Sequence, residues 1–417
     1  MPDTTIKPKS AATLGTVEGD LKAGANARLS AADGKKITVT GGAYFEGPVT
    51  IGSSIECRSL RVEGRGFGPG GDVIIRGDLT VHGDADVVAH MQVEGEVKSE
   101  NLDISGHFKS RSVASKRLRV GGHMNADGTL EAEAVDVGGH FTVSGAVKIS
   151  SLDVGGHARI GGGDISGKAK IMGHFESSKS LAYGELDVLG HIRLPAGSTG
   201  NHLSIRGSVR FDGDTSCKDL KVTGVAKVGG GCSAETIDVY GKLDVSGPLN
   251  VSKELRVFGA TEVKQQIQCG KLVLGGKLDA ERVLVGDSAQ IAGDLGTEAG
   301  LKAASIVVGR SSRVRGPLVG NDVLVGATVD LDAGPMSSLW SGKWLYVGRF
   351  TRVGDVYGKS VRLERNSQTR SVYAEVIRMD EGSMADQVTY SSDLKLPQKY
   401  HFNKPPTKAA KLPDPPL

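Results

Sequence analysis

Six of the ten histidines stand at one place in a repeating phrase: His107, His123, His140, His157, His174 and His191. Imidazoles titrate near neutral pH and ligate metals, so a row of them points first to proton or metal binding. Each follows a glycine and opens the next apolar-x-apolar phrase. If the repeats stack as neighbouring strands, the rings stand ~4.8 Å apart. A zinc ion needs ligands that converge on a tetrahedron, which a straight row does not supply. The pattern therefore predicts no metal site. It predicts a ladder of stacked rings at a corner, with a site responsive to pH or to a ligand as the functional alternative. Further along the chain the same place holds Ser208, Val225, Lys242, Ala260, Lys277 and Asp294, so folding does not require histidine there.

Other reactive groups do not assemble into a reaction centre. Asp103, Asp136, Asp153, Asp187 and Asp238 recur at one outward place, where a glycosidase or a calcium site would gather carboxylates. Arg119, Lys170, Ser204 and Lys221 interrupt them, which makes a mixed-charge face. The glycine strings at 64–71 and 161–163 lack the GxxxxGK[ST] phosphate cradle. No Ser/His/Asp set can be assembled. These readings predict no catalytic residue, cofactor or nucleotide, and so not an enzyme. Between Lys302 and Arg378 twelve Lys and Arg face six Asp and Glu. Arg310, Arg313, Arg315, Arg349 and Arg352, with the only tryptophans, Trp340 and Trp344, are the candidate partner contacts. They suit a membrane or envelope surface rather than nucleic acid.

Cys57, Cys217 and Cys269 each lie three residues before a strand-starting leucine, and Cys232 stands apart from them. They read as buried small apolar residues. Cys217 and Cys269 are three coils apart, roughly 14 Å, which is too far for a bridge. Unpaired thiols suit a reducing compartment, and no secretory leader or membrane-length apolar run is present, so a cytoplasmic location is expected.

What must position these groups is a solenoid. Gly106, Gly122, Gly139, Gly156, Gly173, Gly190, Gly207, Gly224, Gly241, Gly259, Gly276 and Gly293 recur every 17 residues, with a single 16 and a single 18. Each closes the phrase apolar-x-apolar-x-Gly, as in Leu152, Val154, Gly156. Alternation within the phrase is the period of a strand. The phrase repeats about every six residues, so one period carries three short strands and three corners. The fold class is all-β: a right-handed parallel β-helix, three-sided, ~17 residues per coil, drawn out into a rod. The glycine is expected at a corner, where unusual φ or close approach demands it. Sixty glycines and 5% aromatics fit a narrow core with tight corners. The expected organisation is a disordered tail at 1–13, a β-helix over 14–395 with excursions at 64–71 and 333–344, and a proline-rich disordered tail at 396–417. The net charge of +3 points to no class of partner.

The phrases VGGHFTVSGAVKI (137–149), VGGHARIGG (154–162) and VYGKLDVSGPLNV (239–251) resemble the bactofilins, a polymer-forming cytoskeletal family. The resemblance implies head-on association of β-helices into nucleotide-independent filaments that scaffold membrane or envelope processes. The partner would then be the chain itself, through its end coils. A binding rod or carbohydrate-active β-helix, using its outer face, is the alternative.

Overall fold

The computed structural model describes residues 3–63, 72–329, 351–398 and 401–416. Every regular element among them is a β-strand. Strands about 17 residues apart pair in parallel, and the chain winds through about 22 turns. Two compact units divide it, Met1–Asn201 and His202–Leu417.

In the first unit, three ladders run side by side. The first aligns Ala85, Leu102, Leu118, Val135, Leu152, Ala169 and Leu186. The second aligns Met91–Val93, His107–Ser110, His123–Ala126, His140–Val143, His157–Ile160, His174–Ser177 and His191–Leu194. The third begins with Leu79–Val81 and takes the opening residues of Glu96–Ile104 and Ser112–Val120. One strand can serve two faces because its alternation slips at the corner. In Glu96–Ile104 the buried residues are Val97, Ser99, Leu102 and Ile104. The two consecutive outward residues Glu100 and Asn101 turn the chain to the next side.

The interior is filled column by column. In the second ladder Phe108, Met124, Phe141, Ala158 and Phe175 lie over one another, all 5% exposed or less. Ala158 sits between the rings of Phe141 and Phe175, and alternation of large and small keeps the coil width constant. Each such large apolar side chain contributes roughly 1.5–3 kcal/mol on burial.

The second unit repeats the plan, with Leu220, Ile237, Leu255, Leu272, Ala289, Ile306 and Val323 in register. Val323 then pairs with Val361, followed by Ile377 and Leu394. The expected excursions at 64–71 and 333–344 lie outside the described residues. On their far sides the ladders resume, Leu60 opposite Ala85 and Val323 opposite Val361.

Both expected tails differ from expectation. Within 1–13, Thr4–Ile6 pairs with Leu21–Ala23, and Ala11–Leu14 pairs with residues 28–31. Polar composition misleads here because an outer coil needs only alternate apolar residues, Ile6, Ala12 and Leu14, while its backbone bonds supply the rest. Within 396–417, His401–Phe402 and Thr407–Lys408 pair with Met384–Lys395. Pro405 and Pro406, which lack an N–H, separate these two short strands.

Candidate functional site

The glycine column exists because the coils approach closely. The carbonyl oxygen of Gly106 accepts the His123 N–H at 2.9 Å, and Gly122, Gly139 and Gly156 accept from His140, His157 and His174 at the same distance. These carbonyls point along the stack. A Cβ on the glycine of the next coil would be driven into them, at Gly122, Gly139, Gly156, Gly173 and Gly190. The expectation of unusual φ is corrected, since none of these glycines has a positive φ. In the second unit, Gly224, Gly241, Gly259, Gly276 and Gly293 meet the same obstruction from the glycine before them.

The hydrogen bond just described fixes the residue after each glycine. In strands of pattern eBeB or eBiB the first residue points outward, so the six histidines emerge from one edge of the second face. Their rings stack: His107 to His123 at 4.5 Å and 3°, then 4.7, 5.1, 5.5 and 5.2 Å up to His191, with planes within 16°. A seventh ring, His90, extends the ladder below His107 at 4.3 Å and turns edge-on at 66°. Sequence reading missed it because Ala89, not glycine, precedes it. Its position three residues after inward Val87 matches His107 after Ile104, and that spacing was the available signal.

Four of the rings, His90, His107, His123 and His140, line a groove of about 530 Å³ together with Gln92, Lys109, Asn125, Thr142 and Asp72. His90 Nδ1 is buried with no hydrogen-bond partner among the described residues. The His107 pKa is lowered, first by burial, then by His90 and His123, with Asp72 acting in the opposite sense. Stacked rings direct their nitrogens side by side. Among the described residues no three of His, Cys, Asp or Glu gather around a point where a metal could sit.

No family model, curated protein or solved structure matches this chain.

The acidic column on the first face is mixed, as expected. Asp103, Arg119, Asp136, Asp153, Lys170 and Asp187 lie in register. All but Asp187 border a shallow groove of about 670 Å³ over Ala134 and Ser151. Of the candidate partner contacts among the described residues, Arg313 and Arg315 point outward from one strand. Arg313 and Arg352 are register neighbours. Arg315 is bound to Asp279 at 3.1 Å, and the Arg310 Nε donates to the Gly326 carbonyl at 3.3 Å. Trp340, Trp344 and Arg349 lie outside the described residues. Two further stacks escaped sequence reading, Tyr240 on Phe258 at 5.4 Å and Tyr357 on Tyr373 at 4.9 Å.

All four cysteines are free. Burial pushes the thiols of Cys57, Cys232 and Cys269 up to about 12, and raises Cys217 as well. Sequence spacing set Cys217 against Cys269, but the thiol whose charge it feels is Cys232. The thiolate is the reactive form. At pH 8 an aromatic disulfide reagent is expected to leave the native chain almost untouched and to titrate four thiols after denaturation. Rapid labelling of the native chain would contradict the burial.

Proposed function

We propose that this chain is a structural scaffold that joins copies of itself coil edge to coil edge, without nucleotide, as the bactofilin resemblance implies. What supports this most is the outermost described coil. Ile6, Ala12 and Leu14 are only half-buried, whereas their register partners one coil inward, Ala23, Leu29 and Ala31, are 1%, 2% and 7% exposed. Among the described residues no strand lies over them. At the other end Leu394 is half-buried where its partner Ile377 is fully covered. An unpaired strand edge with exposed apolar side chains is satisfied by another edge of the same kind. The repeat supplies such edges at the coil spacing, so a second copy is a ready partner. Four unpaired thiols suit a reducing compartment, and the proposed location is the cytoplasm. No helix of the described residues is long and apolar enough to cross a membrane. Association with membrane or envelope components belongs to the same proposal.

Negative-stain electron microscopy of the purified full chain without nucleotide is expected to show end-joined assemblies. The double variant Ile6→Asp/Leu14→Asp places charge on the outermost coil alone. It should abolish the assemblies while leaving the far-ultraviolet circular dichroism unchanged. Separate particles from the unaltered chain at micromolar concentration would overturn the reading.

A further inference from the structure

The imidazole ladder has an uneven electrostatic setting. Beside it on the same face, one residue per coil, run Lys109, Asn125, Thr142, Arg159, Glu176 and Arg193. Lys109 lies 3.7 Å from Asp127. The single carboxylate of Glu176 is shared between Arg159 at 3.7 Å and Arg193 at 3.9 Å. Asp72 stands at the end near His90 and His107. The corner on the other side carries no charge from Val88 to Leu189. Beyond that corner, on the neighbouring face, are Asp86, Asp103, Asp136, Asp153 and Asp187, broken by Arg119 and Lys170. On the groove side Lys109, Arg159 and Arg193 are matched in number by Asp72, Asp127 and Glu176, whereas on the face beyond the corner five carboxylates stand against two cations.

We propose that the ladder is a proton-gated rail for a linear phosphate chain. An ordered stack of neutral imidazoles offers an anion little. Once protonated, the same stack becomes a row of positive charges at 4.3–5.5 Å intervals. Neighbouring imidazolium rings repel one another. A phosphate chain laid along the ladder, through the groove and beyond it, turns each repulsion into an attraction shared by two rings. The chain therefore draws protons into the ladder, and protons draw in the chain, which is reciprocal linkage. Released counterions add affinity and make it fall with salt. Lys109, which lines the groove, and Arg159 and Arg193 further along the same column hold the chain on the side away from the surplus of carboxylates beyond the corner. Isolated phosphate ions lack this advantage, because each must be confined separately. The inference is independent of self-association, since the ladder lies within the first unit and uses neither outermost coil.

The test is fluorescence anisotropy of end-labelled long-chain inorganic polyphosphate with the full chain at fixed ionic strength, at pH 7.5 and pH 5.5. Circular dichroism at both values verifies folding. Binding should tighten by about tenfold or more at the lower pH and weaken steeply with salt. Orthophosphate at equal phosphorus should not compete. Replacing His107, His123, His140, His157, His174 and His191 by Gln should reduce the pH effect to less than about twofold. If that variant does not fold, the alternate set His123→Gln/His157→Gln/His191→Gln serves, and should lose at least half of the effect on a logarithmic scale. His82→Gln/His202→Gln, which removes histidines off the ladder, should retain all of it. Binding independent of pH, a full pH effect in the ladder variants, or its loss in the off-ladder pair would overturn the proposal.

Discussion

Gly139→Ala is expected to destabilise the first unit by about 3 kcal/mol or more, while Gly138→Ala, one residue earlier, stays within about 0.5 kcal/mol of the unaltered chain. The two positions share a corner and differ in what lies beneath them. A Cβ on Gly139 would be driven into the carbonyl of Gly122 and would lie 3.0 Å from the Gly121 carbonyl carbon. Both are backbone, and the Gly122 carbonyl already accepts the His140 N–H at 2.9 Å, so neither can move without breaking the ladder. A Cβ on Gly138 would find the Val120 oxygen at 3.9 Å, which is ordinary contact. With no positive φ at Gly138, alanine there also restricts the unfolded chain and can offset its small cost. Urea denaturation followed by circular dichroism separates the two. The midpoint should fall sharply for Gly139→Ala and hardly move for Gly138→Ala. Equal shifts would show that corner flexibility, and not the carbonyl beneath, selects glycine.

That contrast also marks how far the fold was legible. The period of seventeen and the alternating apolar residues specify parallel stacking and the inward columns, because only in-register coils bury Leu102 on Leu118 and Phe141 on Phe175 through a two-coil column. The glycine column was legible as a corner, but its cause was not. Close approach depends on where the preceding coil's carbonyls point, and a sequence does not display that direction. The ends were misread for a related reason. Composition measures how much a segment can bury, yet Thr4–Ile6 and Ala11–Leu14 are held as outer strands largely by backbone hydrogen bonds to the next coil. Polar composition is compatible with such a strand as long as alternate residues remain apolar.

Of the candidate site, the ladder's existence and spacing were legible, because residues at equal places in stacked coils must be neighbours. Its length and surroundings were not. His90 belongs to it through the spacing from Val87 and not through the glycine phrase. The arginines illustrate the opposite error. Proximity in sequence grouped Arg310, Arg313 and Arg315, but their side chains go to a backbone carbonyl, to the place beside Arg352, and to Asp279 two coils away. A cluster along one coil says little when the neighbours that matter lie in the next.

Lowering the pH from 7.5 to 5.0 without polyanion is expected to lower the melting temperature of the first unit by several degrees, and loss of alternate rings should flatten that slope. The sign follows from the ladder. His107 is held below its ordinary pKa, chiefly by burial and then by His90 and His123. The folded state thus favours the neutral ring, whereas an unfolded histidine takes its proton at about 6.5. Below that value the unfolded chain binds more protons at this position, so the stability that His107 contributes is complete above about pH 6.5 and is lost as the pH falls toward and below its folded value. Each pair of charged rings ~5 Å apart repels by roughly 0.8 kcal/mol in water, or ~5 kcal/mol over the contacts of a fully protonated ladder. Salt at 0.15 M, with a Debye length of about 8 Å, leaves about half of that, ~2–3 kcal/mol. His82 faces Glu56 at 2.7 Å and His202 faces Asp219 at 2.8 Å, so these two histidines stand beside carboxylates and not beside other imidazoles. Carboxylates lose their charge mainly below pH 5, outside the window. In His123→Gln/His157→Gln/His191→Gln the ladder residues above His107 that remain, His140 and His174, are each two coils from the next. Most of the repulsion is then gone, and the melting temperature should change less than half as much between pH 7.5 and 5.0. An unchanged slope in that variant would mean that the stacked rings do not feel one another's charge, and with that the gating of the groove would lose its physical basis.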